Sequence, residues 1–190
     1  MTSEPTGKNV SPAAKKGLVL FLIAVAAVSV VIAFLSQDRP PRGPRIISEG
    51  DRAPGFSVVA LDGRNISLAD LRGKVVMLHF WATWCPPCVD EIPTIEKLYR
   101  TLPGKDFEIL AVSVDEEGAE TVNAFLQQNK LTLPVQLDPR RAVAGLYGTF
   151  KYPETYIIDR SGVVRYKVIG PRNWDDPVTL KALRDLADGK

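Results

Sequence analysis

The chain has 190 residues, of which 45% are hydrophobic and 24% are charged, with a net charge of +2 and two cysteines. This length suits one ordinary domain with an apolar core and a short additional segment. The near-neutral charge gives no reason to expect a nucleic-acid partner, and two cysteines are too few for the disulfide framework of a small secreted protein.

The N-terminal segment predicts a membrane anchor. Residues 17–35 contain no charged side chain, and as a helix rising about 1.5 Å per residue they would span about 28 Å, close to the hydrocarbon thickness of a bilayer. A cleaved signal peptide is the alternative, but its apolar core is usually shorter, and no clear A-x-A site follows. We therefore expect a cytoplasmic tail over 1–16, a transmembrane anchor over 17–35, a Pro- and Arg-rich linker over 36–45 and a folded domain over 46–190.

The first half of the domain predicts a hairpin, a buried strand and a helix. Short apolar runs flank Asp62-Gly63, a strong turn signal. The nearly continuous apolar run 74–81 suits a strand covered on both faces. A helix is expected to begin near Cys85. Its core-facing positions recur at spacings of three and four: Cys88, Ile92, Ile95, Tyr99 and Leu102.

The second half alternates strands and helices and closes with a hairpin and a helix. Strands are expected within 107–115, 133–138, 155–159 and 163–170, and helices within 120–131 and 139–148. Asp176 as N-cap and Pro177 at the first helical position predict the terminal helix. Together these elements predict an α/β fold, a mixed central sheet flanked by helices.

Cys85 and Cys88 lie three positions apart where the buried strand meets the helix. A structural disulfide would close too small a loop to stabilise much, and zinc needs four ligands, more than one cysteine pair and a single histidine provide. Dithiol–disulfide exchange remains, because free N–H groups and the helix dipole stabilise a thiolate at a helix N-cap. Cys85 is the predicted nucleophile and Cys88 the resolving thiol.

The stretch FWATWCPPC, with YPETYIID further on, resembles the thioredoxin superfamily. Residues 49–171 resemble its membrane-anchored TlpA/ResA/CcmG-like branch, with an N-terminal hairpin and a central insertion of a helix and a strand. The resemblance implies a thioredoxin-like fold, no cofactor besides the redox-active cysteine pair, and a cis-proline at Pro153 facing the cysteines. It makes Trp84 a wall of the active site. It also makes Glu91 and Glu154 candidates for tuning the cysteines or meeting a partner, whereas a favourable helix dipole alone would explain Glu91.

His79, the chain's only histidine, stands where thioredoxins keep a buried acid. It could serve the same proton-shuttling role, or it could be a hydrogen-bonded core residue. The second interpretation is favoured, because that position is often a neutral amide in the TlpA-like branch.

Pro86 and Pro87 bear on the direction of electron flow. Both lack an N–H group, so two donors that would otherwise point at the Cys85 sulfur are missing, leaving chiefly that of Cys88. A less stabilised thiolate favours a reductant over a strong oxidant. A tethered reductant is useful mainly on the oxidising side of a membrane. Together with the habit of the resembling family, this predicts a single-pass bacterial membrane protein with its catalytic domain on the periplasmic side.

The partners follow from the resemblance. It implies exported, disulfide-containing substrates, such as apocytochrome c awaiting haem or a copper-site protein of an oxidase, and an electron donor in the membrane. Four alternatives stay open: a disulfide-donating oxidant on the same fold, a copper-delivery protein, a peroxidase and a non-enzymatic binding module.

Overall fold

The apolar runs of the sequence become the strands of one mixed sheet in the computed structural model, which describes Leu22 and residues 25–29, 46–102 and 106–189. The strands are β1 (Ser57–Ala60), β2 (Asn65–Ser67), β3 (Val75–Trp81), β4 (Phe107–Ser113), β5 (Val135–Leu137), β6 (Glu154–Ile158) and β7 (Val164–Ile169). The α-helices are α1 (Pro86–Thr101), α2 (Ala119–Gln128), α3 (Ala142–Tyr147) and α4 (Pro177–Ala187), and a short 3-10 helix, Leu68–Leu71, follows β2.

The sheet has the strand order β2-β1-β5-β4-β3-β6-β7. β4 runs parallel to both of its neighbours, β3 and β5. The other four pairs are antiparallel: β1–β2, β1–β5, β3–β6 and β6–β7. The predicted mixed α/β fold with an N-terminal hairpin and a central insertion is therefore confirmed. The inserted strand, β5, joins the hairpin to the centre of the sheet.

The central strand β3 is buried along its whole length, because it has a strand on either side and its two faces are covered. Parallel strands β3, β4 and β5 end at one edge of the sheet, and the antiparallel β6 begins at that edge. The segment between β3 and α1 and the segment before β6 therefore meet there.

Helix α1 begins and packs nearly as predicted, with one correction. Leu98 is fully buried, whereas Tyr99, which we expected in the core-facing stripe, is 40% exposed. Both residues are apolar and lie three and four positions after Ile95, so the helical spacing alone does not choose between them.

The predicted membrane anchor and linker lie almost wholly outside the described residues. Leu22 and residues 25–29 are helical. Within the part of the chain that the structure describes, no helix combines the length and the apolar character that crossing a bilayer requires.

Candidate active site

The two cysteines occupy the first turn of α1. Cys85 is the N-cap residue, with extended backbone angles, and Pro86 opens the helix, a position where its missing N–H is not needed. A disulfide joins Cys85 to Cys88, with Cα atoms 5.3 Å apart. Cys85 is 5% exposed and Cys88 is fully buried. Of the two sulfur-bearing residues, Cys85 is therefore the one that a substrate can reach.

The backbone donors around Cys85 differ from our expectation. The Cys88 N–H, which we expected to remain for the Cys85 sulfur, donates to the Cys85 carbonyl at 3.0 Å, and the Val89 N–H donates to the same carbonyl at 3.1 Å. The Cys85 side chain makes no capping hydrogen bond. Both are the ordinary first bonds of a helix. Since Pro86 and Pro87 supply no N–H groups, the Cys85 sulfur receives little backbone stabilisation from this turn.

An aromatic rim borders Cys85. Trp84 is 54% exposed, and its ring meets the half-buried Tyr152 ring edge-on, with centroids 6.0 Å apart. The Tyr152–Pro153 peptide bond is cis, and Pro153 is buried. The Pro153 carbonyl accepts the Gly170 N–H at 2.9 Å. The structure thus brings Trp84 and the segment that carries Pro153 to the same edge of the sheet as the cysteines.

An acidic residue that we did not single out holds the loop before Cys85. The Asp115 carboxylate, buried just after β4, accepts hydrogen bonds from the Thr83 N–H, from the Thr83 hydroxyl at 2.6 Å and from the Ser113 hydroxyl at 2.7 Å. Only the pairing of β3 with β4 brings Thr83 and Asp115 together, so nothing local in the sequence indicated this contact.

His79 and Glu91 form a buried pair, with Glu91 about one helical turn after Cys88 on α1. His79 Nδ1 lies 2.9 Å from Thr155 Oγ1, and His79 Nε2 lies 3.4 Å from Glu91 Oε1. That second distance is longer than a good hydrogen bond, and neither atom has a closer hydrogen-bond partner. The other oxygen, Glu91 Oε2, accepts the Arg172 N–H at 2.7 Å and the Trp174 indole N–H at 3.3 Å. His79 is thus a hydrogen-bonded core residue that also faces an acid.

Burial shifts both titrations towards the neutral forms. Burial lowers the pKa of His79 to about 3. Burial raises the pKa of Glu91 to about 7, against the opposing effect of the hydrogen bonds from Arg172 and Trp174. Near neutral pH, His79 is therefore uncharged and Glu91 lies close to its midpoint, a condition that suits a group exchanging protons.

Glu154 is buried, whereas an acid that contacts a partner protein has to be exposed. Its side chain is buried, and Glu154 Oε1 lies 2.9 Å from Lys167 Nζ and 2.6 Å from the Tyr156 hydroxyl. A substrate protein cannot touch it, so the expectation that Glu154 meets a partner directly is wrong.

Among the described residues, no group of three or more His, Cys, Asp or Glu side chains could hold a metal ion.

Sequence reasoning missed Thr155 and Trp174, whose contacts with His79 and Glu91 depend on the tertiary fold. Thr155 faces His79 because β6 pairs antiparallel with β3 in that register. Trp174 reaches Glu91 because the segment between β7 and α4 crosses α1, where the Trp174 N–H also donates to the Thr94 hydroxyl at 3.1 Å. The exposed fraction of Trp174 is only 2%, yet no apolar periodicity surrounds it in the sequence.

Comparison with known proteins identifies the family of this domain. The AhpC/TSA family model matches residues 49–167. Among curated relatives, the thiol-disulfide oxidoreductase ResA of Bacillus anthracis is 40% identical over 121 residues, which is 64% of this chain and 69% of that protein. ResA of Geobacillus thermodenitrificans is 33% identical over 159 residues, covering 84% of this chain and 87% of that protein.

Solved structures show the same architecture. The thiol:disulfide interchange protein, a thioredoxin family protein, of Chlorobium tepidum TLS aligns with a TM-score of 0.60 and 27% identity, covering 74% of this chain and 99% of that one. StoA of Bacillus subtilis aligns with a TM-score of 0.59 and 26% identity, covering 70% and 96%.

Proposed function

Because this chain belongs to the AhpC/TSA family and is a thiol-disulfide oxidoreductase of the ResA type, we propose that it reduces disulfide bonds in exported proteins through its Cys85–Cys88 dithiol. The observation that carries the direction of electron flow is the first turn of α1. There Cys85 sits at the helix N-cap without a hydrogen bond to its side chain, and two prolines follow it.

The exchange takes two steps. The Cys85 thiolate attacks one sulfur of the substrate disulfide, whose S–S bond breaks as a mixed disulfide forms, and the released substrate thiolate takes up a proton. Cys88 then loses its proton and attacks Cys85, which releases the second substrate thiol and closes the Cys85–Cys88 disulfide. Two electrons pass to the substrate, and a dithiol donor must return them to this chain.

Glu91 is the residue we propose to tune this exchange. It lies three positions after Cys88 on α1, buried, with a pKa that burial raises to about 7. A carboxyl group with that pKa can take up or release a proton near neutral pH. His79 stays neutral beside it, since burial lowers its pKa to about 3.

The location and the partners are part of the proposal. We place the domain on the extracytoplasmic side of the membrane, held by an anchor over 17–35, because a reductant is useful where the thiols of exported proteins become oxidised. Relatives named ResA, a thiol-disulfide oxidoreductase, support the reaction type. Apocytochrome c and copper-site proteins of oxidases are the candidate substrates, and a membrane dithiol protein is the candidate donor.

The direction of electron flow is tested by the midpoint potential of the Cys85–Cys88 couple. We expect a value of about −270 mV or lower, the range of thioredoxin, because the Cys85 thiolate receives little stabilisation from backbone donors. Tryptophan fluorescence in a dithiol redox buffer should report the transition, since Trp84 adjoins Cys85. Cys88→Ser, which cannot form the disulfide, is the control for the signal. A value of about −120 mV, that of a strong oxidant, would make the protein a disulfide donor instead.

The proposed topology is tested by a reporter fusion. Alkaline phosphatase fused after Lys190 folds only outside the cytoplasm, where its own disulfides form. We expect high phosphatase activity in intact cells, recovered in the membrane fraction after lysis. A matched fusion that lacks residues 17–35 should lose at least roughly tenfold of this activity, because the apolar segment supplies both export and attachment. Full activity released into the soluble fraction would instead indicate a cleaved signal peptide.

A further inference from the structure

The hydroxyl of Tyr156 contacts residues on both sides of Pro153, at the two ends of the loop that carries this proline. The Tyr156 hydroxyl lies 2.6 Å from Glu154 Oε1, 3.1 Å from Thr149 Oγ1 and 3.3 Å from the Tyr147 carbonyl. Tyr147 and Thr149 precede the cis-proline in the chain, and Glu154 follows it. All of these polar atoms lie in buried residues, where a hydrogen bond is difficult to replace by water.

Lys167 completes this buried cluster from β7. Its ammonium group lies 2.9 Å from Glu154 Oε1 and 2.9 Å from the Ile47 carbonyl, and it stands 5.1 Å above the Tyr156 ring. Glu154 Oε2 has no hydrogen-bond partner, so the carboxylate is oriented through Oε1 alone. Burial, and then the hydrogen bond with Glu154, raise the pKa of Tyr156, so its hydroxyl keeps the proton that it donates.

The loop held by this cluster forms half of the rim around Cys85. Its Tyr152 ring meets the Trp84 ring edge-on, and Trp84 is the residue before Cys85. Cys85 is only 5% exposed. A disulfide within a protein substrate must bring its neighbouring backbone over this rim to reach the sulfur, whereas a small disulfide has no such backbone to place.

We propose that Tyr156 and Thr149 are positioning residues for protein substrates. Their paired hydroxyls hold the loop 148–153 against Trp84 in the arrangement that receives the substrate chain, while the reactivity of the cysteines does not depend on them. This inference rests on the proposed function, because it assumes that the rim beside Cys85 receives a protein disulfide.

The test compares two disulfide substrates on the full-length chain in detergent. Insulin serves as the protein disulfide, and 5,5′-dithiobis(2-nitrobenzoate) serves as the small one. For Tyr156→Phe we expect kcat/KM with insulin to fall about fivefold, mainly through KM, since the loss corresponds to about one buried hydrogen bond. The rate with the small disulfide and the thiol–disulfide equilibrium with glutathione should change by less than about twofold, the size of a surface substitution's effect.

Two further variants make the comparison decisive. Thr149→Val removes the other hydroxyl of the pair with little change of shape, and it should lower kcat/KM with insulin in the same selective way. Tyr166→Phe makes the same chemical change as Tyr156→Phe at a half-exposed position on β7, and it should leave both substrates unaffected.

Each remaining outcome has a distinct meaning. Equal losses with insulin and with the small disulfide in Tyr156→Phe would show a general structural effect and overturn the positioning role, as would unchanged kinetics with both. If the wild-type chain reduced neither substrate, the proposed reductase function itself would fail, which the variants alone would not show.

Discussion

The Cys88→Ser variant should accumulate a covalent complex with its substrate, joined through Cys85. Cys85 completes the first step of the exchange without its neighbour, but the mixed disulfide then has no resolving thiol. Incubation of the reduced variant with insulin should therefore give a stable adduct, visible on a non-reducing gel and by mass spectrometry and lost on addition of dithiothreitol. In membranes from the producing cells, the same variant should capture the physiological substrate.

The matched variant, Cys85→Ser, should form no adduct, because its remaining thiol belongs to a fully buried residue. Both variants should turn over insulin at less than roughly 1% of the wild-type rate, since one thiol cannot complete a two-step exchange. Equal adduct formation by the two variants would show that Cys88 is as reachable as Cys85, and the assigned roles of nucleophile and resolving thiol would have to be abandoned.

The stability of the protein should respond to pH in opposite directions when His79 and Glu91 are replaced singly. Burial lowers the pKa of His79 to about 3 and raises that of Glu91 to about 7, from ordinary values of 6.5 and 4.5. Between about pH 4.5 and 6.5, the unfolded chain therefore binds an extra proton at His79, and the folded chain binds an extra proton at Glu91. The two contributions to the pH dependence cancel in the wild type.

Each substitution should uncover the contribution that remains. In His79→Asn, Glu91 acts alone, so stability should fall as the pH rises from about 4.5 to 7, by up to roughly 2 kcal/mol after allowance for screening. In Glu91→Gln, His79 acts alone. Its contribution is present above about pH 6.5, and stability should fall as the pH drops towards 3, by up to roughly 4 kcal/mol.

Urea unfolding across this pH range measures the effect as the difference between each single variant and the double variant, which lacks both groups, so that the contribution of the other titrating groups is removed. Glu117→Gln, the same change at an exposed acid, should differ from the wild type by an amount that does not vary with pH. Between about pH 4.5 and 6.5, where the two contributions cancel, the double variant should follow the wild-type profile. Difference curves that stay level for both single variants would mean that neither group is held in its neutral form.

The sequence predicted the parts of this site that depend on neighbouring residues. Three such patterns each determine local structure within one turn or one strand. They are the apolar run of β3, the spacing of Cys85 and Cys88, and Pro177 directly after Asp176. Their positions in the fold agree closely with those expectations, because the physical causes act over a few residues.

The sequence could not predict the contacts that depend on how the strands pair. His79 meets Thr155 through the register of β3 and β6, and Thr83 meets Asp115 through the pairing of β3 and β4. The expectation that Glu154 meets a partner was wrong for a related reason. Its place beside the cis-proline was clear, but the side of the sheet that its carboxylate faces depends on strand alternation and on Lys167 from the next strand.

The hydrogen bonds from Thr83 to Asp115 have a consequence for the speed of the reaction. They fasten the loop before Cys85 to the end of β4 through groups that gain and lose no electrons. Opening the disulfide removes a covalent link within the first turn of α1, while the loop before that turn keeps its hydrogen bonds to Asp115. We therefore expect the backbone to need little reorganisation between the two oxidation states, so that one preformed surface meets an electron donor and a substrate in alternation.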